Sequence, residues 1–412
     1  MSAQDKIRWR AHLEGWLRAG LRAVSPREAV RRHMRCDGAQ LIVGGHVLDL
    51  SHYPDRRLIA VGKAALPMAQ AVMEQIGGTW TRKVIVTRRG YTASLSTAEQ
   101  AVLSPLFQDS VFIESGHPIP DEDSLRAGEA VAQALKHCSP ATLVIACISG
   151  GASALMVLPV EGYSLADIQA ATTHLLQSGA DIYQLNAVRT AMDQLKGGGL
   201  ARLAQPAHVV GLLLSDVVGD PIAVIGSGPT ALPGVPNVIV ANNAAACAAI
   251  AEAAQAAGMQ PRLVTTTLQG EAREVGLQIA QALLVAPPTS CLIYGGETTV
   301  TLGGSGKGGR NQELALAAAI ALDAQNAAPG DCVVAFGTDG SDGPTDVAGA
   351  IAWHDSVARA RSLALDAVAL LRHNDSYAFF APLGDHIRTG PTGTNVADVI
   401  VAARLGTLAH VT

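Results

Sequence analysis

The chain has 412 residues, is 49% hydrophobic and only 16% charged, and carries 42 glycines with few aromatics. That length supports two domains and a large core, and a core of Ala, Val, Leu and Ile suits parallel sheet covered by small-residue helices. A net charge of -5 argues against nucleic acid or an anionic membrane as partner, so an anionic substrate must be met by individual lysines and arginines.

No apolar run reaches the roughly 18 residues of a membrane span. The opening MSAQDKIRWRAHLEGW is charged throughout and lacks a leader core. Cys36, Cys138, Cys147, Cys247, Cys291 and Cys332 lack CxxC spacing and read as reduced, buried thiols. The expectation is a soluble cytoplasmic α/β protein.

In chain order, residues 6–36 read as amphipathic helix, with Trp9, Leu13, Leu17 and Leu21 at spacing four and a restart at Ser25-Pro26. Residues 58–61 form a short strand, Gly62-Lys63-Ala64-Ala65 turns into a helix over 67–76, and 83–87 and 111–114 are strands. A helix over 121–137 opens with an acidic turn that suits its dipole. Residues 143–148 are wholly apolar, as in the middle of a parallel sheet, and end in the small-residue loop Ser149-Gly150-Gly151-Ala152-Ser153. Helices follow over 164–179 and 181–196, then a strand over 209–214 that ends at Ser215-Asp216.

The Pro-rich piece 232–236 reads as a hinge, so the expected domains are 1–235 and 236–412. Beyond it, 238–241, 262–266, 291–294 and 332–336 read as strands of a second parallel or mixed sheet. An alternation over 297–302 reads as one more strand. Five glycines then fall at 303, 304, 306, 308 and 309, interleaved with Ser305 and Lys307, before Arg310-Asn311-Gln312-Glu313 opens an Ala/Leu-rich helix. Bare backbone, a fixed cation and a helix start suit an anion. Gly304-x-Gly306-x-x-Gly309 matches the dinucleotide fingerprint, yet the acid at about the ribose-binding spacing, Asp331, begins the next strand, whose carboxyl end carries Gly337-Thr338-Asp339 instead. It is no Walker A loop either, since Thr301 and Gly308 stand where Gly and Ser or Thr are required.

Lys63 and the Ser149 loop lie where open α/β sheets bind ligands, beyond the carboxyl ends of strands. Asp216, Asp220 and the group Asp339, Asp342, Asp346 are loop acids. Mg²⁺ needs only one or two of these, because water and phosphate oxygens complete its shell. Zinc and a hydrolase triad have no supporting pattern. Gly-rich loops, fixed cations and loop carboxylates together point to phosphoryl transfer.

At these residues the chain resembles a known family. The runs GGETTVTLGGSGKGGRNQELALAAA, GTDGSDGPTDVAGA, NDSYAFF and GPTGTNVADV resemble the C-terminal domain of the MOFRL-type glycerate 2-kinases. VGKAALPMA, SGGASAL, NAVRTAMDQLKGGGL, SDVVGD and IGSGPT agree in the first half. The resemblance implies a larger Rossmann-like N-terminal domain, a smaller α/β C-terminal domain and an active site in the cleft between. It implies phosphorylation of D-glycerate at C2 by ATP with Mg²⁺, and it puts the catalytic pair on Lys63 and Arg310. Substrate or nucleotide contacts are then expected from Ser149, Gly150, Gly151, Asn186, Arg189, Lys196, Glu297, Gly303, Gly304, Gly306, Lys307, Asn311 and Asn395, and metal contacts from Asp216, Asp339 and Asp342. Two positions depart from the family's pattern: Pro221 where a second acid is expected, and Ala397 in place of an Asn. The alternatives are an NAD(P)H-dependent hydroxypyruvate reductase, a label some relatives carry, and a sugar-acid-binding regulator. A homodimer is left open.

Overall fold

The structure is a computed structural model that describes residues 3–94, 100–101, 103–104, 108–178 and 182–405. It divides into two compact units: Ser25–Asn242, and helix α1 (Ala3–Ala23) together with the chain from Asn243 onward. Among the described residues no helix is long and apolar enough to cross a membrane.

In the Ser25–Asn242 unit, helix α2 (Pro26–His33) leads into an antiparallel meander of β1 (Met34–Asp37), β2 (Gln40–Val43) and β3 (His46–Asp49). The helix expected to run to Cys36 thus stops at His33. The main sheet follows as β4 (Asp55–Val61), α3 (Ala65–Ile76), β5 (Arg82–Arg88), β6 (Val111–Ser115), α4 (Glu122–Leu135) and β7 (Thr142–Ile148). After β7 come α5 (Ala152–Leu155), α6 (Leu165–Gln177), α7 (Ile182–Ala191), α8 (Gly199–Ala204), β8 (His208–Leu214) and β9 (Asn237–Ala241). The expected start of α7 at Asp181 lies outside the described residues.

The strand order is β6-β5-β4-β7-β8-β9, and every pair is parallel. This is the doubly wound order, in which the chain reverses direction across the sheet between β4 and β7. All seven residues of β7 are buried, because helices cover both faces. Ile59, Val61, Val144, Ala146 and Ile148 meet α4, α5 and α8 in one core, while α3 packs on β4 and β5 from the other face. Strand β9 was expected in the second domain but pairs with β8, Gly211 opposite Asn237. Gly211 makes this pairing fit, since a Cβ there would lie 2.3 Å from the Asn237 carboxamide oxygen.

The other unit contains α9 (Asn243–Ala256), β10 (Gln260–Leu268), α10 (Ala272–Leu284), β11 (Ser290–Gly296), α11 (Arg310–Ala324), β12 (Asp331–Gly337) and β13 (Gly349–Trp353). Three short helices, α12 (Ser356–Ser362), α13 (Ala367–Arg372) and α14 (Ser376–Phe380), precede β14 (His386–Ile387) and β15 (Asp398–Arg404). The sheet is mixed, in the order β10-β11-β15-β12-β13-β14. Strand β15 runs antiparallel between β11 and β12 and sets Asp398 beside both Gly296 and Gly337. The first residue of one strand therefore meets the carboxyl ends of its two neighbours.

Helix α1 packs on α9, burying Trp9, Leu13, Trp16 and Leu17. Gly20 permits the close approach, as a Cβ there would sit 2.8 Å from Ile250. The first 24 residues thus leave the expected 1–235 domain and join the C-terminal half. The expected strand over 297–302 is also absent. Gly296 turns the chain at φ 149°, and the bonds of Thr299 and Thr301 go to Gly270, Glu271 and Ala272 instead of a sheet neighbour.

Candidate functional site

In the Ser25–Asn242 unit the two loops at the reversal point are tied together. Lys63 N–H donates to the Gly150 carbonyl at 3.0 Å, and Ala64 N–H donates to the Ser149 hydroxyl at 3.0 Å. A Cβ on Gly62 would lie 2.1 Å from the Ser149 Oγ, so only glycine lets the turn close at its φ of 130°. Ser149, expected as a ligand contact, is buried and fixes the Lys63 turn. Gly150 in turn seats Asp216, whose Oδ2 lies 2.0 Å from where a Cβ would stand.

A cavity of about 210 Å³ opens beside these loops, lined among others by His117, Gly151, Asn186, Arg189 and Asp216. Arg189 is only 8% exposed. Its guanidinium donates to the Ser153 hydroxyl at 3.3 Å and the Pro118 carbonyl at 3.4 Å, both long bonds to neutral oxygens. Burial pulls it down to about 10, against the opposing pull of Asp193. His117 packs against Gly151. Burial, reinforced by Lys63, Arg189 and Arg88, lowers it to about 4, so the imidazole is neutral at ordinary pH. Asn186 is occupied: it accepts from the Ser227 hydroxyl at 2.6 Å and donates to the Val224 carbonyl at 3.1 Å, and so positions the cavity wall.

Lys196 is a correction. It is 2% exposed, with its ammonium 2.5 Å from Asp193 and 3.2 Å from the Met156 carbonyl. A group buried against its own carboxylate partner is not open to a ligand.

In the other unit a cavity of about 790 Å³ is lined by Glu297, Gly304, Arg310, Glu313, Asp339, Asp342 and Asn374, among others. Arg310 stands at the first position of α11. Its Nε and Nη2 donate to the two oxygens of Asp398 at 2.5 and 3.0 Å, and its Nη1 pairs with Glu297. Burial disfavours the cation, but the charges of Asp398 and Glu297 outweigh it and raise Arg310 above its ordinary value. Glu297, expected as a substrate contact, thus serves to orient Arg310.

The glycine-rich loop has a cause that its own sequence does not show. Gly303 and Gly304 N–H both donate to the Asn374 carboxamide, at 2.8 and 3.0 Å. Gly306 N–H reaches the His373 carbonyl at 3.0 Å and Lys307 N–H reaches Asp375 at 3.1 Å. Side chains on Gly304, Gly306 and Gly308 would collide with His373, Asp375 and Ser376 at 2.5, 2.5 and 2.2 Å. The amides expected to cradle phosphates are bonded within the protein. The Lys307 ammonium lies 4.2 Å from the centre of the Tyr377 ring, a cation–π contact.

The start of α11 is filled as well. Asp342 accepts from the backbone and side chain of Asn311 at 3.0 and 3.2 Å, and from both groups of Gln312 at 2.9 Å. It caps the helix from a distance, and burial raises it above the usual carboxylate range. With both oxygens doubly bonded and both amides buried, Asp342 and Asn311 are structural, and the metal reading of Asp342 does not hold. Asp339 differs: one oxygen accepts from Ser341 N–H and hydroxyl, each at 2.9 Å, while the residue lines the larger cavity. Asn395 accepts from Ala397 N–H at 3.1 Å and so shapes the approach to Asp398. Among the described residues there is no group of three or more His, Cys, Asp or Glu able to hold a metal, but Mg²⁺ does not require one.

Three residues that matter here were not singled out by the sequence reading. Asp398 clamps Arg310, and the one available hint is an acid at the head of the apolar run VIVAA. His117 follows a strand directly, in the Ser-Gly-His-Pro run. Asn374 locks the glycine loop and donates to Glu313 at 2.8 Å.

Comparison with known proteins divides the chain at a different place from the two compact units. Residues 12–269 match the family described as "Domain of unknown function (DUF4147)", and residues 290–398 match the MOFRL family. A glycerate 2-kinase from Pyrococcus horikoshii is 34% identical, over 93% of this chain and 94% of its own length. A protein from Agrobacterium vitis with the name putative hydroxypyruvate reductase is 35% identical, over 91% of this chain and 94% of its own. The crystal structure of a Thermotoga maritima glycerate kinase superposes with a TM-score of 0.83 at 34% identity, covering 97% of this chain and 99% of that one.

Proposed function

The chain belongs to the glycerate 2-kinase family with the DUF4147 and MOFRL segments, and from that membership we propose that Lys63 and Arg310 carry its phosphoryl transfer. The reaction moves the γ-phosphoryl group of ATP to the C2 hydroxyl of D-glycerate, giving 2-phosphoglycerate and ADP. The observation that carries the residue assignment is that each unit presents a cation in the connection that follows the carboxyl end of a strand of its sheet. Lys63 follows β4 at the reversal point, and Arg310 is locked by Asp398 at the carboxyl ends of β11 and β12.

The C2 oxygen attacks the γ-phosphorus as the bond to the β-phosphate oxygen breaks, ADP leaves, and the hydroxyl proton passes to Asp216. A fixed cation offsets charge on the equatorial oxygens in such a transfer, the role we assign to Lys63 and to Arg310. The larger cavity takes the nucleotide, since 790 Å³ suits a ligand of that size and 210 Å³ does not.

The walls of the larger cavity fit a Mg²⁺–nucleotide better than a bare triphosphate. Glu297, Glu313, Asp339 and Asp342 line it beside Arg310, and although Glu313 is paired with Arg273 and Asp342 with the start of α11, Asp339 meets no cation among the described residues. Asp339 would hold the ion, which when bound offsets charge on the β- and γ-phosphates. The hydroxypyruvate reductase reading is disfavoured because the loop with the dinucleotide fingerprint has its amides bonded to residues 373–375. The setting we assign is the cytoplasm, where ATP is available and the six cysteines stay reduced, and light scattering would decide between monomer and homodimer.

Lys63→Ala and Arg310→Ala, each checked for folding by circular dichroism, are expected to cut kcat by at least about 100-fold. Near-normal turnover in either variant would overturn the assignment.

A further inference from the structure

Arg189 is buried without a carboxylate in contact, among the described residues. The nearby acid that acts on it, Asp193, is occupied elsewhere: it holds Lys196 at 2.5 Å, Leu195 N–H at 2.9 Å and Leu158 N–H at 3.1 Å. A guanidinium carries five donors, and here two make long bonds to neutral oxygens. Burying a charge in this state is costly unless something completes its shell. The cavity that Arg189 lines is a natural place for that partner, because its wall is otherwise polar at Ser153, Ser227, His117, Asn186 and Asp216. Lys63 and Arg88 lie near enough to His117 to act on it, so positive charge gathers on this side. The volume of about 210 Å³ excludes a nucleotide and admits a three-carbon acid.

We propose that this cavity seats the acceptor, with the Arg189 guanidinium forked onto the carboxylate of the hydroxy acid, so that Arg189 is the group that selects an acid over a neutral polyol. The planar guanidinium matches two carboxylate oxygens at once, which an ammonium does not. Asp216 lines the same cavity, so an acid anchored at Arg189 brings its adjacent hydroxyl to a wall that carries a carboxylate. The inference rests on the kinase reading for its acceptor, but its test does not depend on turnover.

The test uses the full chain, with D-glycerate binding measured by calorimetry without nucleotide and ADP release assayed with D-glycerate or glycerol as acceptor. Arg189→Met is expected to weaken D-glycerate binding and raise its KM about 10- to 100-fold. KM for ATP should stay within about twofold, and the preference for glycerate over glycerol should shrink by a similar factor. Arg189→Lys, which keeps the charge, should recover part of the loss and stands in if the methionine variant fails to fold. A raised KM for ATP with unchanged glycerate binding would overturn the proposal and give Arg189 to the nucleotide. Unchanged values for both ligands would make it structural and overturn the proposal equally. If the wild type binds D-glycerate and Arg189→Met does not, the inference stands even where no ADP is released, and only the kinase reading fails.

Discussion

Replacing Asp398 by asparagine keeps the size of a side chain that is 1% exposed and removes its charge. Burial pushes Asp398 up to about 6, although Arg310 pulls it down. An unfolded aspartate titrates near 3.9. The folded protein therefore favours the neutral form by about two pH units, roughly 3 kcal/mol at pH 7. The group's contribution to stability is greatest below about pH 4 and falls as pH rises through about 6, because over that window the folded state binds more protons than the unfolded state. Asparagine imitates the neutral form, so Asp398→Asn is expected to stabilise the fold at pH 7 by about 1–3 kcal/mol. The lower figure allows for the weaker hydrogen bond that Arg310 then makes. Breaking a buried pair ordinarily costs about 3–5 kcal/mol. Here the arginine side chain is 35% exposed and keeps Glu297, so the cation is not stranded. Turnover should move the other way, falling about 10- to 100-fold as Arg310 loses its two-point clamp. Urea unfolding at pH 4 and 7 together with ADP release reads both effects. A destabilisation of about 3–5 kcal/mol that is the same at both pH values would refute the reasoning.

Ala397 has a φ of 65°, a conformation that costs an L-residue about 1–2 kcal/mol and that Asn or Gly tolerates. Ala397→Gly should therefore gain about 0.5–1 kcal/mol after glycine's greater unfolded-state freedom is deducted, raising Tm by about 2 °C in a thermal scan. An unchanged or lower Tm would count against that backbone. Asp342→Ala removes the distant cap of α11 and leaves the Asn311 and Gln312 amides buried without their acceptor, an expected loss of about 2–4 kcal/mol by urea unfolding. The Mg²⁺ concentration for half-maximal activity should not change in that variant, and a tenfold rise would restore Asp342 as a metal ligand. Asp339→Asn should instead raise that concentration by about tenfold, and no change in it would remove Asp339 from the metal.

Much of the framework was readable locally because its causes are local. Residues 143–148 are apolar throughout, and a strand buried on both faces requires that. The loops at Lys63 and Ser149 were legible from the same switch from apolar strand to Gly-rich turn to helix, and so was Arg310 at the head of α11. What escaped depends on partners far along the chain. The glycines at 303–309 look like a ligand cradle until His373, Asn374 and Asp375 are brought against them, some 70 residues away. Helix α1 reads as the start of the first domain, yet the surface that covers Trp9 and Leu13 is α9. Strand β15 lies between two strands that are adjacent in the chain's own sequence of strands, so nothing within residues 398–404 announces its place. Arg189 and Lys196 stood together in one run, and folding separates their roles: one lines a cavity, the other is held by Asp193. The spacing of three between Asp193 and Lys196 was the available warning. The Asn expected at Ala397 is explained by the left-handed backbone there.

The most direct measurement is ADP release from ATP and Mg²⁺ with D-glycerate as acceptor, with the product identified by ³¹P NMR. ADP is expected in step with a 2-phosphoglycerate signal. No ADP above background from folded protein, or a product phosphorylated at C3, would contradict phosphorylation at C2.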